Sequence, residues 1–213
     1  MAYCRKKLYI LFCLSILLSA TFSYAEEEIE DLIDIFEADS KIIAIIEGKK
    51  TIPFNLQSKE NVLWSASKGN LGAFLTNDHF FIISTSSGVW KYLHLRIDES
   101  EKAIASLSPY IALLVTNNRV IGYNTVSNQF IETQLSINDE FVTAKVEKYV
   151  AVVITSSKVI GFTTKTSTFI SIPLRGKETL HTIKITSSKA IVRTSDRLLT
   201  FEAKGSIWNE HRL

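Results

Sequence analysis

Five basic residues recur at near-constant intervals: Lys41, His79, Arg119, Lys158 and Arg197 are 38, 40, 39 and 39 residues apart. Held around one opening, five such groups would bind an anion: an acidic peptide, a phosphate or an acidic glycan. A second set has the same period and the opposite sign, namely Glu60; Asp98, Glu99 and Glu101; Asp139 and Glu140; and Glu178. If the two sets share a face they neutralise one another, as surface ion pairs contributing about 0–1 kcal/mol each. A solvated, self-paired face is the simpler reading of the basic column, and an anion site the sharper one.

A third column is aromatic: Trp90, Phe130, Phe169 and Trp208. Such a set would stack on sugars if it faced solvent, whereas aromatics locked to a repeat ordinarily pack between repeats. Core is the expectation here, with Trp64 outside the column. For catalysis the residues offer little. No two of His79, His94, His181 and His211 stand at a His-x-x-x-His metal spacing. There is no Gly-x-Ser-x-Gly and no glycine-rich phosphate loop. His94 and His181 depart from their repeat columns and read as tolerated substitutions. Two carboxylates brought together from different repeats would serve glycoside hydrolysis, a pairing that spacing does not reveal. No cofactor and no metal site is expected.

These columns exist because the chain is a repeat. Leu75-Thr76-Asn77-Asp78-His79, Val115-Thr116-Asn117-Asn118-Arg119, Ile154-Thr155-Ser156-Ser157-Lys158 and Arg193-Thr194-Ser195-Asp196-Arg197 align without gaps, and Glu37-Ala38-Asp39-Ser40-Lys41 is a degenerate fifth copy. Four residues before the threonine stands a small residue in four copies, Gly72, Ala112, Ala151 and Ala190. Each unit reads as four short strands. In one copy Val142 to Val146, Tyr149 to Ile154, Val159 to Thr163 and Phe169 to Leu174 are apolar or alternating runs separated by polar turns. Such runs are too short and too rich in β-branched residues for helices. Only Glu26 to Ile35 is a candidate short helix, and it equally opens the first unit.

A period near 40 with four strands per period is the signature of β-propeller blades. Thr85-Ser86-Ser87-Gly88-Val89-Trp90, and more faintly Gly205-Ser206-Ile207-Trp208, resembles the turn-then-Trp of quinoprotein-type blades. The resemblance is to the propeller architecture and to no family within it. The fold expected is all-β, a small propeller of five blades built from four-stranded antiparallel repeats, one blade incomplete for want of an innermost strand. The units are 26–60, 61–99, 100–139, 140–178 and 179–213. A ring that stays open would expose apolar blade faces and favour self-association.

Residues 1–25 read as a secretory signal peptide. Arg5, Lys6 and Lys7 precede the apolar run Leu8 to Leu18, and Ser23-Tyr24-Ala25 offers small residues where cleavage, expected after Ala25, is specified. Its removal takes three basic and no acidic residues from a chain of net charge +2, leaving −1, and takes both cysteines, Cys4 and Cys13. The mature chain would then have no disulfide, no basic footprint for nucleic acid and no integral membrane span. The expected function is that of an exported, periplasmic or secreted, non-enzymatic propeller binding a protein or peptide of the cell envelope. The alternatives are a glycan-binding propeller, with an anionic glycan as partner, and a hydrolase of an acidic envelope polymer.

Overall fold

The computed structural model describes residues 29–205 and 207–213. The signal segment with Cys4, Cys13 and the cleavage position, residues 26–28 and Ser206 of the second turn-Trp motif lie outside the described residues.

Each unit folds as one meander. The first sheet has three strands, β1 (Ile33–Ala38), β2 (Lys41–Ile46) and β3 (Lys50–Asn55). The second contains β4 (Val62–Lys68), β5 (Leu71–Thr76), β6 (His79–Ser84) and β7 (Lys91–His94). The third contains β8 (Ile104–Leu107), β9 (Ile111–Val115), β10 (Arg119–Asn124) and β11 (Gln129–Gln134). The fourth contains β12 (Phe141–Val146), β13 (Val150–Thr155), β14 (Lys158–Thr163) and β15 (Thr168–Pro173). The fifth contains β16 (Leu180–Ile185), β17 (Lys189–Thr194), β18 (Arg197–Glu202) and β19 (Trp208–Arg212). A single 3-10 turn, Ser100–Lys102, lies between the second and third. This is the all-β propeller construction expected from the repeat, with the incomplete blade at the N-terminal end. The possible helix at Glu26 to Ile35 is not formed where the chain is described, because Ile33–Ala38 pairs with Lys41–Ile46 as β1.

Turn chemistry explains how so few glycines suffice. The turn between third and fourth strands needs a left-handed residue, filled by Gly88 (φ 58°), Asn128 (φ 55°) and Ser167 (φ 52°) in successive blades. Glycine adopts that conformation at no steric cost; Asn tolerates it, and Ser is the most strained of the three.

Five apolar clusters join the sheets in series. Ile33, Ala44 and Ile83 in one cluster, with Ile42, Phe74 and Phe81 in another, join the first blade to the second. Leu114, Phe80 and Tyr123 join the second to the third, Leu113, Val153 and Phe162 the third to the fourth, and Val152, Leu199 and Phe201 the fourth to the fifth. Each large side chain buried in this way contributes about 1.5–3 kcal/mol. The small-residue column permits the close approach: a Cβ on Gly72 would lie 2.8 Å from Ile35 Cδ1 and 2.9 Å from Ile33 Cγ2. The aromatic column packs between blades, as expected, with each ring half-buried against a core cluster. Trp90, Phe130, Phe169 and Trp208 each pack toward the preceding blade. Trp90 and Trp208 also donate their indole N–H to Ile52 O (3.2 Å) and Ile170 O (2.9 Å) there.

No apolar cluster of the described residues joins the fifth blade to the first, so over these residues the blades form an open arc. Its ends differ chemically from its interior. The fourth blade meets the fifth with Val150, Val152, Ile154 and Ile172. The same positions in the fifth blade are Lys189, Ile191, Arg193 and His211, and Arg193 and His211 are exposed. At the other end Asp34 occupies the small-residue position and is exposed. A terminal repeat with a polar outer face is what keeps a stacked array soluble.

Candidate functional site: the loop end of the arc

The loops between blades and the turns between second and third strands lie at one end of every sheet, and both charge columns are there. They are joined into clamps. In the third blade Glu99 accepts from Arg119 Nε (2.9 Å) and Nη2 (2.7 Å), from Thr116 Oγ1 (3.1 Å) and from the Arg96 amide (2.7 Å). Arg119 also donates to Glu132 Oε2 (2.5 Å) and to His94 O (3.0 Å). The fifth blade repeats the arrangement with Glu178, Arg197, Thr194, the Arg175 amide and Glu210. In the fourth, the shorter Asp139 pairs with Lys158 (2.9 Å) and accepts from Ser157 Oγ and the Ser136 amide (2.7 Å). In the second, Glu60 accepts from Thr76 Oγ1 (2.7 Å) and meets His79 Nδ1 at 3.0 Å.

The basic residues therefore do not all project as a ring of free cations. Arg119 and Arg197 are 5% and 3% exposed, because a bidentate carboxylate draws each guanidinium in, flat against the loop. Lys158 and His79 are partly buried beside Asp139 and Glu60. Lys41, in the incomplete blade, is exposed and forms no ion pair among the described residues.

The carboxyls respond accordingly. Arg197 hydrogen bonds hold Glu178 down to about 2 against the opposing effect of burial, with help from the Arg175 amide and Thr194. For Asp139, burial pushes upward but Ser157, Lys158 and the Ser136 amide outweigh it, leaving a value of about 2. Glu99 and Glu60 are likewise lowered: burial acts upward and is overcome by Arg119 in one and by Thr76 in the other. A glycosidase acid needs a carboxyl raised toward neutrality; these four move the other way. They act as fasteners that fix the loop backbone.

Among exposed charges such as Asp98, Glu101 and Glu140, the clamped loops also display aliphatics. Ile97 and Ile137 stand at equivalent tips of adjacent loops and are 88% and 100% exposed. Leu63 and Val142 are bulged residues at the starts of β4 and β12, and His181 takes the same bulge in β16. Leu63, Val142 and Ile104 of β8 are all exposed. A cleft beside Ile137 is lined by Lys102, Asn117, Glu140 and Phe141. Sequence reasoning missed these residues, because singly exposed aliphatics carry no motif. It also missed one pairing: His94 Nδ1 lies 3.2 Å from His79 Nε2, opposite it across the β6–β7 ladder. The 15-residue spacing of a hairpin was the available signal. Among the described residues no three His, Cys, Asp or Glu side chains form a metal-holding group, and no helix is long and apolar enough to cross a membrane.

No family model and no curated protein matches the chain. Among solved structures it is similar to Prp20p of Saccharomyces cerevisiae (7% identity, TM-score 0.46, covering 81% of this chain and 56% of that one). It is also similar to Kluyveromyces lactis Hsv2 (8%, TM-score 0.41, 85% and 61%) and to the N-terminal domain of Nup159 (7%, TM-score 0.38, 85% and 58%). The chain thus spans less than two thirds of the structures it matches.

Proposed function

We propose that the chain is an exported, non-enzymatic propeller arc that binds a protein or peptide of the cell envelope on its loop end. One observation carries the reading: Leu63, Ile97, Ile104, Ile137 and Val142, large aliphatics on three consecutive blades, all stand exposed at that end. Exposed aliphatics grouped on a rigid support favour a partner surface over bulk water. The clamps beneath them keep the loops in one conformation, so little ordering entropy is lost on binding. The aromatic column, which a sugar-stacking site would present to solvent, is packed between blades, and this favours a polypeptide partner over a glycan.

The test is capture from the envelope fraction with a photo-crosslinker at position 101, comparing the parent with an I97D/I137D double variant. A discrete crosslinked polypeptide that disappears in the double variant, with circular dichroism unchanged, is the expected result. Equal capture by both proteins, or capture competed by acidic polysaccharide alone, would overturn the reading.

A further inference from the structure

The first blade has an unpaired edge. In the other four sheets a strand lies before the second strand: β4 on β5, β8 on β9, β12 on β13, β16 on β17. β1 aligns with those second strands, and no strand of the described residues pairs with its outer side. Its register with β2 fixes which groups are free. Leu32 O accepts from the Glu47 amide, and Ala38 faces Lys41 across the two-residue turn. By the alternation of an antiparallel ladder, the N–H and C=O of Ile33, Ile35 and Glu37 point away from β2. Ile33 is fully buried, so the accessible part of this edge is at half-buried Ile35 and exposed Glu37. The equivalent positions in the fourth blade are Val150, Val152 and Ile154, whose strand is paired with β12.

The edge is also the most acidic part of the described chain. Glu30, Asp31, Asp34, Glu37 and Asp39 fall within ten residues that contain no Lys or Arg, in a chain of net charge +2. Asp34, Phe36 and Glu37 are exposed. In two of the complete sheets the residue standing where a partner would face Ile35 is a lysine: Lys145 opposite Val152 and Lys184 opposite Ile191.

We infer that β1 accepts an extended basic peptide segment of a partner protein, which pairs with the outward backbone of Ile35 and Glu37, the accessible end of the edge, as the fourth strand of the first blade. Backbone hydrogen bonds supply the affinity of such strand addition, and flanking side chains the selectivity. Asp34 and Glu37 select lysine and arginine, while Phe36 offers apolar contact. The site is separate from the loop-end aliphatics and does not depend on them.

The experiment uses the protein as expressed, with an eight-residue peptide of alternating Lys and Val and a Glu/Val counterpart, followed by fluorescence anisotropy and amide hydrogen exchange. The basic peptide is expected to bind, with affinity falling as salt rises, and to slow exchange of the Ile35 and Glu37 amides at least about tenfold. A D34K/E37K variant, whose fold is checked by circular dichroism, is expected to lose about tenfold or more in affinity, whereas I97D/I137D binds the peptide as the parent does. Equal binding of both peptides, binding of the basic peptide without protection of those amides, protection already present in a dimer of the chain alone, or no binding by either peptide would each overturn the proposal.

Discussion

Arg197 grips Glu178 with two hydrogen bonds of 2.8 Å, one from Nε and one from Nη2, tying the turn of the fifth blade to the loop that enters it. The same guanidinium reaches Pro173 O at 2.6 Å in the fourth blade. One side chain thus fastens a loop, a turn and the neighbouring blade. The ion pair is buried, so its contribution depends on both partners being present.

The clamp should be visible in acid. Folded Glu178 keeps its charge down to about 2, while its ordinary value is 4.5. Its stabilising effect is therefore complete above about pH 4.5 and is lost as pH falls toward 2. E178Q should lower stability by about 3 kcal/mol at pH 7, with the difference from the parent shrinking to near zero at pH 2. Urea denaturation at pH 7, 4 and 2 measures this; a difference independent of pH would contradict it.

Packing between the last two blades leaves no room at Gly161, where an added Cβ would lie 2.8 Å from the ring of the fully buried Phe201. G161A should destabilise by about 1–3 kcal/mol through overpacking. Pairing it with F201L should recover part of that loss in a double-mutant cycle. Additive losses would show that the two sites do not interact.

Trp208 combines apolar contact with its hydrogen bond to Ile170 O. W208F keeps most of the contact and should cost about 1 kcal/mol for the lost hydrogen bond. W208A should cost about 3–5 kcal/mol. Thermal unfolding that ranks the two variants equally would show that packing there is unimportant.

The polar outer face of the fifth blade makes a prediction about assembly. Replacing Arg193 and His211 with isoleucine restores the apolar residues that Ile154 and Ile172 provide one blade earlier. R193I/H211I should associate into dimers or longer arrays at micromolar concentration, seen by light scattering, while the parent does not. A double variant with the same mass as the parent would show that Arg193 and His211 do not block stacking.

Much of this architecture was legible before any coordinates, for a physical reason. Blade packing imposes a size on each position, so Gly72, Ala112, Ala151 and Ala190 had to be small, and Trp90 and Trp208 had to be large. That the first blade has three strands among the described residues was legible by counting. The functional face was less so. The opposed columns point to a self-paired face, but sequence gives charge and period and not that Arg119 and Arg197 turn inward to be buried on Glu99 and Glu178. Glu132 and Glu210, which complete the two best clamps, lie 13 residues after their arginines and appear ordinary until β10 pairs with β11 and β18 with β19. Ile97 and Ile137 differ from buried isoleucines only in where the loop carries them.

That no apolar cluster of the described residues joins the first and fifth blades has a mechanical meaning. A closed ring fixes the position of every blade twice, once around each side, and resists deformation as a hoop does. In this arc only the three interior blades are held on both sides, the first and fifth have one neighbour each, and the four interfaces stand in series. Small rotations at those interfaces add rather than cancel. The span between the β1 edge and the Arg193 face is therefore an adjustable quantity, and a ligand that bridged the two would act on it as a clasp acts on a bracelet.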